Sequence, residues 1–124
     1  MKAYTDLEQS RKLEEILPIE SADMTCIGTE FVPYPYCESK FKGEDNVYPA
    51  WSLAALLSVL PSRLFDSTPK RKELYILPDL DKSYCFYRQF AVKTKGKIYL
   101  LTEGECLVDA CYEMILKLHE LKLL

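Results

Sequence analysis

The stretch that decides the fold is residues 74–101, LYILPDLDKSYCFYRQFAVKTKGKIYLL. Aromatic and β-branched side chains, which favour strands, fill the three runs 74–77, 83–93 and 98–101. Polar turn segments at 78–82 and 94–96 separate these runs. Turns this short join neighbouring strands in opposite directions, so the stretch predicts a three-stranded antiparallel meander.

Tyr84, Phe86 and Phe90 alternate on one side of the middle run, and we expect that side to face the core. Tyr87 and Tyr99 would then lie on the solvent side among cations. Aromatic rings stack on bases while cations meet phosphate, so the meander 84–99 is a candidate surface for single-stranded nucleic acid. Its residues are Tyr87, Arg88, Lys93, Lys95, Lys97 and Tyr99. The alternative is a sheet whose lysines are merely solvated.

Three helices are predicted around the meander. Residues 49–60, PAWSLAALLSVL, are apolar on nearly every side, which is typical of a central buried helix. A capping box opened by Thr5 predicts a short helix over 6–16. A second box opened by Thr102 predicts a helix over 105–122. Its heptad-like apolar seam is Leu107, Cys111, Met114, Leu118 and Leu121.

These elements predict an α+β fold in one domain over 1–124. We expect an antiparallel sheet of three or four strands packed against the two main helices, 49–60 and 105–122, with a short N-terminal helix. The run 24–36 favours extended structure, and Pro33 and Pro35 limit it to an edge strand or a loop. A length of 124 residues suits one domain with a real core.

Composition excludes several classes of protein. Apolar residues make up 48% and charged residues 28%, as in folded globular chains. A net charge of −3 disfavours a generally basic nucleic-acid binder. The charge is uneven, however: residues 1–62 hold five basic and ten acidic residues, whereas residues 63–124 hold eleven and nine. The half that contains the meander is therefore mildly cationic.

The five cysteines have an odd count and no C-x-x-C spacing, so we interpret them as reduced thiols that serve as small apolar residues. Reduced thiols and the absence of a signal-like or membrane-length apolar segment predict a cytoplasmic protein without a membrane partner. No glycine-rich phosphate loop, nucleophile elbow or metal-binding motif is found. We therefore predict no catalytic residue, no metal and no cofactor. A cysteine enzyme would need His119 near a thiol and is the third hypothesis.

A second, partly apolar side of the last helix is the candidate interaction surface, formed by Tyr112, Leu116 and His119. It motivates the leading hypothesis, a non-enzymatic protein that binds a protein partner or a second copy of itself through the C-terminal helix. The alternative is that this side packs inside the fold.

Three segments resemble a group of small proteins encoded in prophage-like or mobile regions of gut-bacterial genomes. They are YTDLEQSRKLEEILPIESADM at 4–24, YPAWSLAALLSVLP at 48–61 and VDACYEMILKLHEL at 108–121. The resemblance implies a bacterial, phage-associated accessory protein. It implies no activity and assigns no functional residues.

Overall fold

The computed structural model describes residues 2–33, 47–64, 71–91 and 94–124. The helices are α1 (Leu7–Ile16), α2 (Leu53–Val59) and α3 (Leu107–Glu120), and a 3₁₀ turn spans Ile19–Ser21. The strands are β1 (Met24–Ile27), β2 (Glu30–Pro33), β3 (Val47–Ala50), β4 (Arg63–Leu64), β5 (Arg71–Pro78), β6 (Ser83–Ala91) and β7 (Thr94–Gly104). The predicted α+β class is confirmed.

The strands form two antiparallel sheets where one was predicted. The large sheet has the order β4-β5-β6-β7 and contains the predicted meander. The small sheet has the order β2-β1-β3, with β2 at its edge as its proline requires. The small sheet was missed because residues 47–50 pair with β1, with Tyr48 opposite Cys26, and do not begin the next helix.

The large sheet buries the side opposite to the one predicted. Cys85 and Tyr87 of β6 are fully buried under α3, whereas Tyr84, Phe86 and Phe90 point away from it and are only half-buried. The small Cys85 side chain lets α3 come close to the strand. The Tyr87 hydroxyl donates a hydrogen bond to the Pro61 carbonyl at 2.7 Å, which satisfies a phenol that has no access to solvent.

The central buried helix is α3, and the prediction that 49–60 forms it is wrong. α2 begins only at Leu53, because Ser52 caps it by accepting from the Ala55 amide at 3.2 Å, and Asp23 in turn accepts from the Ser52 amide at 2.9 Å. α2 packs against α3 and leaves Ala54 exposed. α3 lies between α2 and the sheet and buries seven residues: Val108, Ala110, Cys111, Tyr112, Met114, Ile115 and Leu118.

The N-terminal capping box is displaced by one residue from its predicted place. Asp6 and Gln9 form it, while Thr5 turns inward, where its hydroxyl contacts that of Ser10 and accepts from the Trp51 amide. The second predicted box is wrong, since Thr102 lies in β7 and Cys106 precedes α3 without a side-chain cap. The observed bounds of α1, Leu7–Ile16, agree with the predicted helix over 6–16 to within one residue.

The structure supports the interpretation of the cysteines as small apolar residues. Cys26, Cys85, Cys106 and Cys111 are free and buried; Cys37 lies outside the described residues. Among the described helices, none is both long and apolar enough to cross a bilayer.

Candidate functional site

The six residues predicted to bind nucleic acid do not form one surface. Tyr87 is buried, and Lys93 and the side chain of Lys95 lie outside what the structure describes. Arg88 points to the outer side of the sheet. Lys97 lies opposite Gln89, on the side of the sheet that faces α3. Tyr99 lies at a register shift between β6 and β7, and its ring centroid is 4.9 Å from the Lys72 ammonium. The prediction that Tyr87 is available at the surface is therefore wrong.

The predicted interaction surface on the last helix is largely used inside the fold. Tyr112 is buried and Leu116 packs against the core, while His119 is exposed. The N-terminal segment covers this side of α3. Lys2 donates to Asp109, three residues before Tyr112, at 2.7 Å, and Gln9 donates to the same oxygen at 2.8 Å. Burial raises the pKa of the Tyr112 phenol, as expected for an enclosed ring.

The strongest surface feature is the side of the large sheet that faces away from α3, which we call the outer sheet face. Strand register places alternate residues of β5, β6 and β7 on it. Its apolar members are Tyr75, Leu77, Tyr84, Phe86, Phe90, Ile98 and Leu101. Four of them, Tyr75, Leu77, Ile98 and Leu101, rank among the exposed large hydrophobic residues. Contiguous apolar exposure of this kind is typical of interaction sites.

The rings of the outer sheet face form an ordered cluster. Tyr75 on β5 stacks on Phe86 of β6 with centroids 5.5 Å apart, and it meets Phe90 in a tilted arrangement at 6.4 Å. Arg71 and Arg88 both lie over the Phe90 ring, at 5.1 and 5.8 Å from its centroid. The rings of the outer sheet face therefore pack against one another and against two arginines in the isolated chain.

Charges of opposite sign occupy the two ends of this face. At the end where β5 begins, Arg63 and Arg88 lie opposite Glu73 on the neighbouring strands, and the Glu73 carboxylate forms ion pairs with Arg71 at 3.2 Å and with Arg63 at 3.7 Å. At the other end, next to the turn joining β5 to β6, Lys82 pairs with Glu103 at 3.2 Å. We call these the basic end and the acidic end.

The acidic end is named for the carboxylates of the turn that joins β5 to β6. Asp79 and Asp81 are both exposed there and Glu103 pairs with Lys82, so this end holds three carboxylates and one lysine. The basic end holds three arginines and one glutamate, Glu73. Each end therefore carries an excess of one sign.

A cysteine enzyme needs a reactive thiol, and the described cysteines are buried. No group of three or more His, Cys, Asp or Glu side chains among them is placed to hold a metal ion. Cys85 and Cys111 interact inside the core, and this contact together with burial raises the pKa of the Cys85 thiol. A buried thiol held in its protonated form is a poor nucleophile. His119, the histidine that a cysteine enzyme would need, is exposed on α3.

Part of the outer sheet face was readable from the sequence. The alternation of Tyr84, Phe86 and Phe90 placed them correctly on one side of β6. Tyr75, Leu77 and Leu101 were missed, because their strands carry apolar residues on both sides and no alternation marks which one is outside.

No protein-family model, curated protein or solved structure matches this chain.

Proposed function

We propose that the protein is a non-enzymatic binding protein that recognises another protein chain through the outer sheet face. The observation that carries this proposal is the apolar surface of β5–β7, which exposes Tyr75, Leu77, Ile98 and Leu101 on one side of the large sheet. Leaving such side chains in water costs free energy that burial under a partner recovers, at about 25 cal/mol per Å².

The chemistry of the face favours a protein over a nucleic acid. Leu77, Ile98 and Leu101 are aliphatic and cannot stack on bases, but they pack well in protein interfaces. The excess positive charge of this face is confined to the basic end, and the carboxylates of the acidic end would repel phosphates. A phosphate-binding surface depends on cations that are available to replace counterions.

Site-specific photo-crosslinking tests the proposal. A benzophenone amino acid placed at Leu101, which is 45% exposed on the outer sheet face, should yield adducts with an identified protein chain after irradiation. The same probe at Leu7, which is 44% exposed on α1, is the matched control and should yield far fewer. Mass spectrometry of the adduct identifies the partner, including a second copy of this chain.

A second substitution shows whether the adduct depends on this face. Leu77→Lys places a charge in the apolar surface and should remove the adduct at position 101, because the partner would have to bury an unpaired ammonium. Equal adduct yields from positions 101 and 7, or a yield that Leu77→Lys leaves unchanged, would contradict the proposal.

Single-stranded nucleic acid is the second candidate, and one observation favours it. Arg88 is half-buried over Phe90 and pairs with no carboxylate among the described residues; it reaches only the Gly96 carbonyl, at 3.4 Å. An aromatic ring beside such an arginine can serve as a stacking platform for a base. Titration of fluorescent oligonucleotides at low salt tests this candidate, with Arg88→Ser and Tyr75→Ala as variants. Binding that both variants leave unchanged would remove this candidate.

We propose a cytoplasmic setting in a bacterial or phage-associated context. The buried, unpaired thiols suit a reducing compartment. The resemblance of the three segments to small prophage-like proteins supports the phage-associated context. Fractionation of the cells that produce the protein, with detection of the chain in each fraction by an antibody, would test the location.

A further inference from the structure

We infer that the partner of the outer sheet face is a second copy of this chain, stacked face to face with its strands running antiparallel to those of the first. This inference rests on the proposed protein-binding function and names its occupant. The observation behind it is the separation of charge along the face.

The basic and acidic ends make the face complementary to itself. Arg63 and Arg71 contribute exposed positive charge at one end, and Asp81 and Glu103 contribute exposed negative charge at the other. The apolar rows that contain Tyr75, Phe86 and Leu101 lie between the two ends. A partner for this face needs an apolar centre flanked by opposite charges, and a second copy supplies that pattern.

Symmetry then fixes the arrangement. In a two-fold dimer each patch meets the same patch of its partner. A two-fold axis parallel to the strands would place the basic end over the partner's basic end. An axis across the strands places the basic end over the partner's acidic end, at both ends of the interface. Opposite charges attract in the second arrangement only, so the strands of the two copies run antiparallel.

The dimensions of the face predict a modest affinity. Three strands spaced by about 4.8 Å, with about seven residues each at about 3.3 Å per residue, cover roughly 14 by 23 Å. That is roughly 320 Å² on each copy and roughly 640 Å² in total, well below the roughly 1,200 Å² at which standard specific interfaces begin, so the dimer is a weak one that forms only at high protein concentration. Sheets stacked face to face keep their strand directions within about 30° of each other, which this arrangement allows.

Sedimentation velocity over a range of protein concentration tests the dimer. The wild-type chain should be monomeric at about 10 μM and should associate into dimers as its concentration rises to about 500 μM, as expected for a weak interface. Leu101→Lys should weaken the dimer at least about tenfold, because its ammonium would be buried in the apolar centre. Leu7→Lys, at matched exposure on α1, should leave the dimer unchanged.

Two charge-reversal variants test the antiparallel arrangement. Arg63→Glu with Arg71→Glu makes the basic end acidic, and Asp81→Lys with Glu103→Lys makes the acidic end basic. Each variant alone should lose the dimer, because like charges then meet at both ends. An equimolar mixture should recover dimer within about threefold of the wild-type affinity, because each end of one variant then meets the opposite charge on the other. Lys12→Glu with Lys117→Glu reverses two exposed charges elsewhere and is the control.

Several outcomes overturn the inference. A chain that stays monomeric at about 500 μM excludes the second copy at the affinity argued above. A dimer that Leu101→Lys leaves intact uses another surface. A mixture of the two charge variants that stays monomeric, while both variants remain folded by circular dichroism, excludes the antiparallel arrangement. Recovery of dimer on mixing shows that both variants are folded. Their loss of dimer when alone then supports the antiparallel arrangement, because in the parallel arrangement like charges would already meet in the wild type.

The same experiments separate this inference from the proposed function. If the chain is monomeric but the probe at Leu101 captures a different protein in a manner that depends on Leu77, the second copy is excluded while protein binding stands. If the chain is monomeric, the probe at Leu101 gives no adduct that depends on Leu77, and oligonucleotides bind in a manner that depends on Arg88, both proposals are overturned.

Discussion

At the scale of single residues, Asp109 binds the N-terminal segment to the C-terminal helix α3. It lies in the first turn of α3 and accepts hydrogen bonds from Lys2 and Gln9. Burial by itself works to raise the pKa of this carboxyl, but the hydrogen bonds and the charge of Lys2 outweigh burial and hold the pKa below its ordinary value of 3.8. A carboxylate in the first turn is also favoured by the helix dipole.

We predict that Asp109→Asn lowers the free energy of unfolding at neutral pH by about 1–2 kcal/mol, because Lys2 loses a partly buried charged partner. The folded-state pKa lies below the unfolded one, so this contribution is present above pH 3.8 and disappears as the pH falls through the folded-state value. The variant should therefore show a shallower loss of stability below about pH 4. Urea denaturation from pH 2 to pH 7 measures it.

The control for Asp109→Asn is Glu113→Gln, which removes an exposed carboxylate from the same helix. We expect it to change stability by no more than about 0.5 kcal/mol. Equal effects of the two substitutions would show that the contact between Lys2 and Asp109 is not stabilising.

At the scale of elements, the contact between β7 and α3 depends on a missing side chain. A Cβ atom on Gly104, the last residue of β7, would lie 2.5 Å from the Asp109 Cβ and 2.8 Å from the Ala110 backbone nitrogen. On the same side, the Thr102 hydroxyl donates to the Ala110 carbonyl at 2.7 Å. The first turn of α3 therefore sits directly on the end of the strand, which sets the position of the buried helix.

Gly104→Ala should destabilise the fold by about 1–3 kcal/mol, because the strand and the helix must separate to admit the methyl group. Chemical denaturation followed by circular dichroism measures the change. Glu105→Ala alters the next, exposed position and should have little effect. An unchanged midpoint for Gly104→Ala would mean that β7 and α3 are not in close contact.

For the individual elements, the sequence predicted the type, helix or strand, better than it predicted the first and last residues. The meander, α1 and the C-terminal helix were found because their patterns are local. Residues 49–50 were assigned to a helix because Pro49 suits a first helical turn, yet they form strand β3. Pairing with β1, whose residues lie more than twenty positions earlier, decided that outcome, and local propensity carries no information about it.

At the scale of the whole molecule, Trp51 connects the N-terminal elements to the main core. Its indole N–H donates to the Ser21 hydroxyl at 2.9 Å, and its backbone carbonyl accepts from the Thr5 amide at 3.0 Å. Trp51 also belongs to the same buried cluster as Tyr87 of the large sheet and Leu118 of α3. Contacts that link all these elements favour a single cooperative unit.

We therefore predict one unfolding transition. Fluorescence of Trp51, which is the chain's single tryptophan, should change at the same urea concentration as the far-UV circular dichroism signal. The measurement must be made at one protein concentration, since a dimer would shift the midpoint. Two separate midpoints would show that the part around Trp51 unfolds apart from the large sheet, against the expectation of one domain.

The sequence by itself determined the α+β class, the meander and the placement of Tyr84, Phe86 and Phe90 on the same side of β6. Only the tertiary structure decided which side is covered. Alternation divides a strand into two sets of residues, but a helix packed on one side chooses between them. Here the choice depends on Cys85 admitting α3 and on Tyr87 reaching the carbonyl of Pro61, 26 positions away. The aromatic side was consequently left outside, which created the outer sheet face.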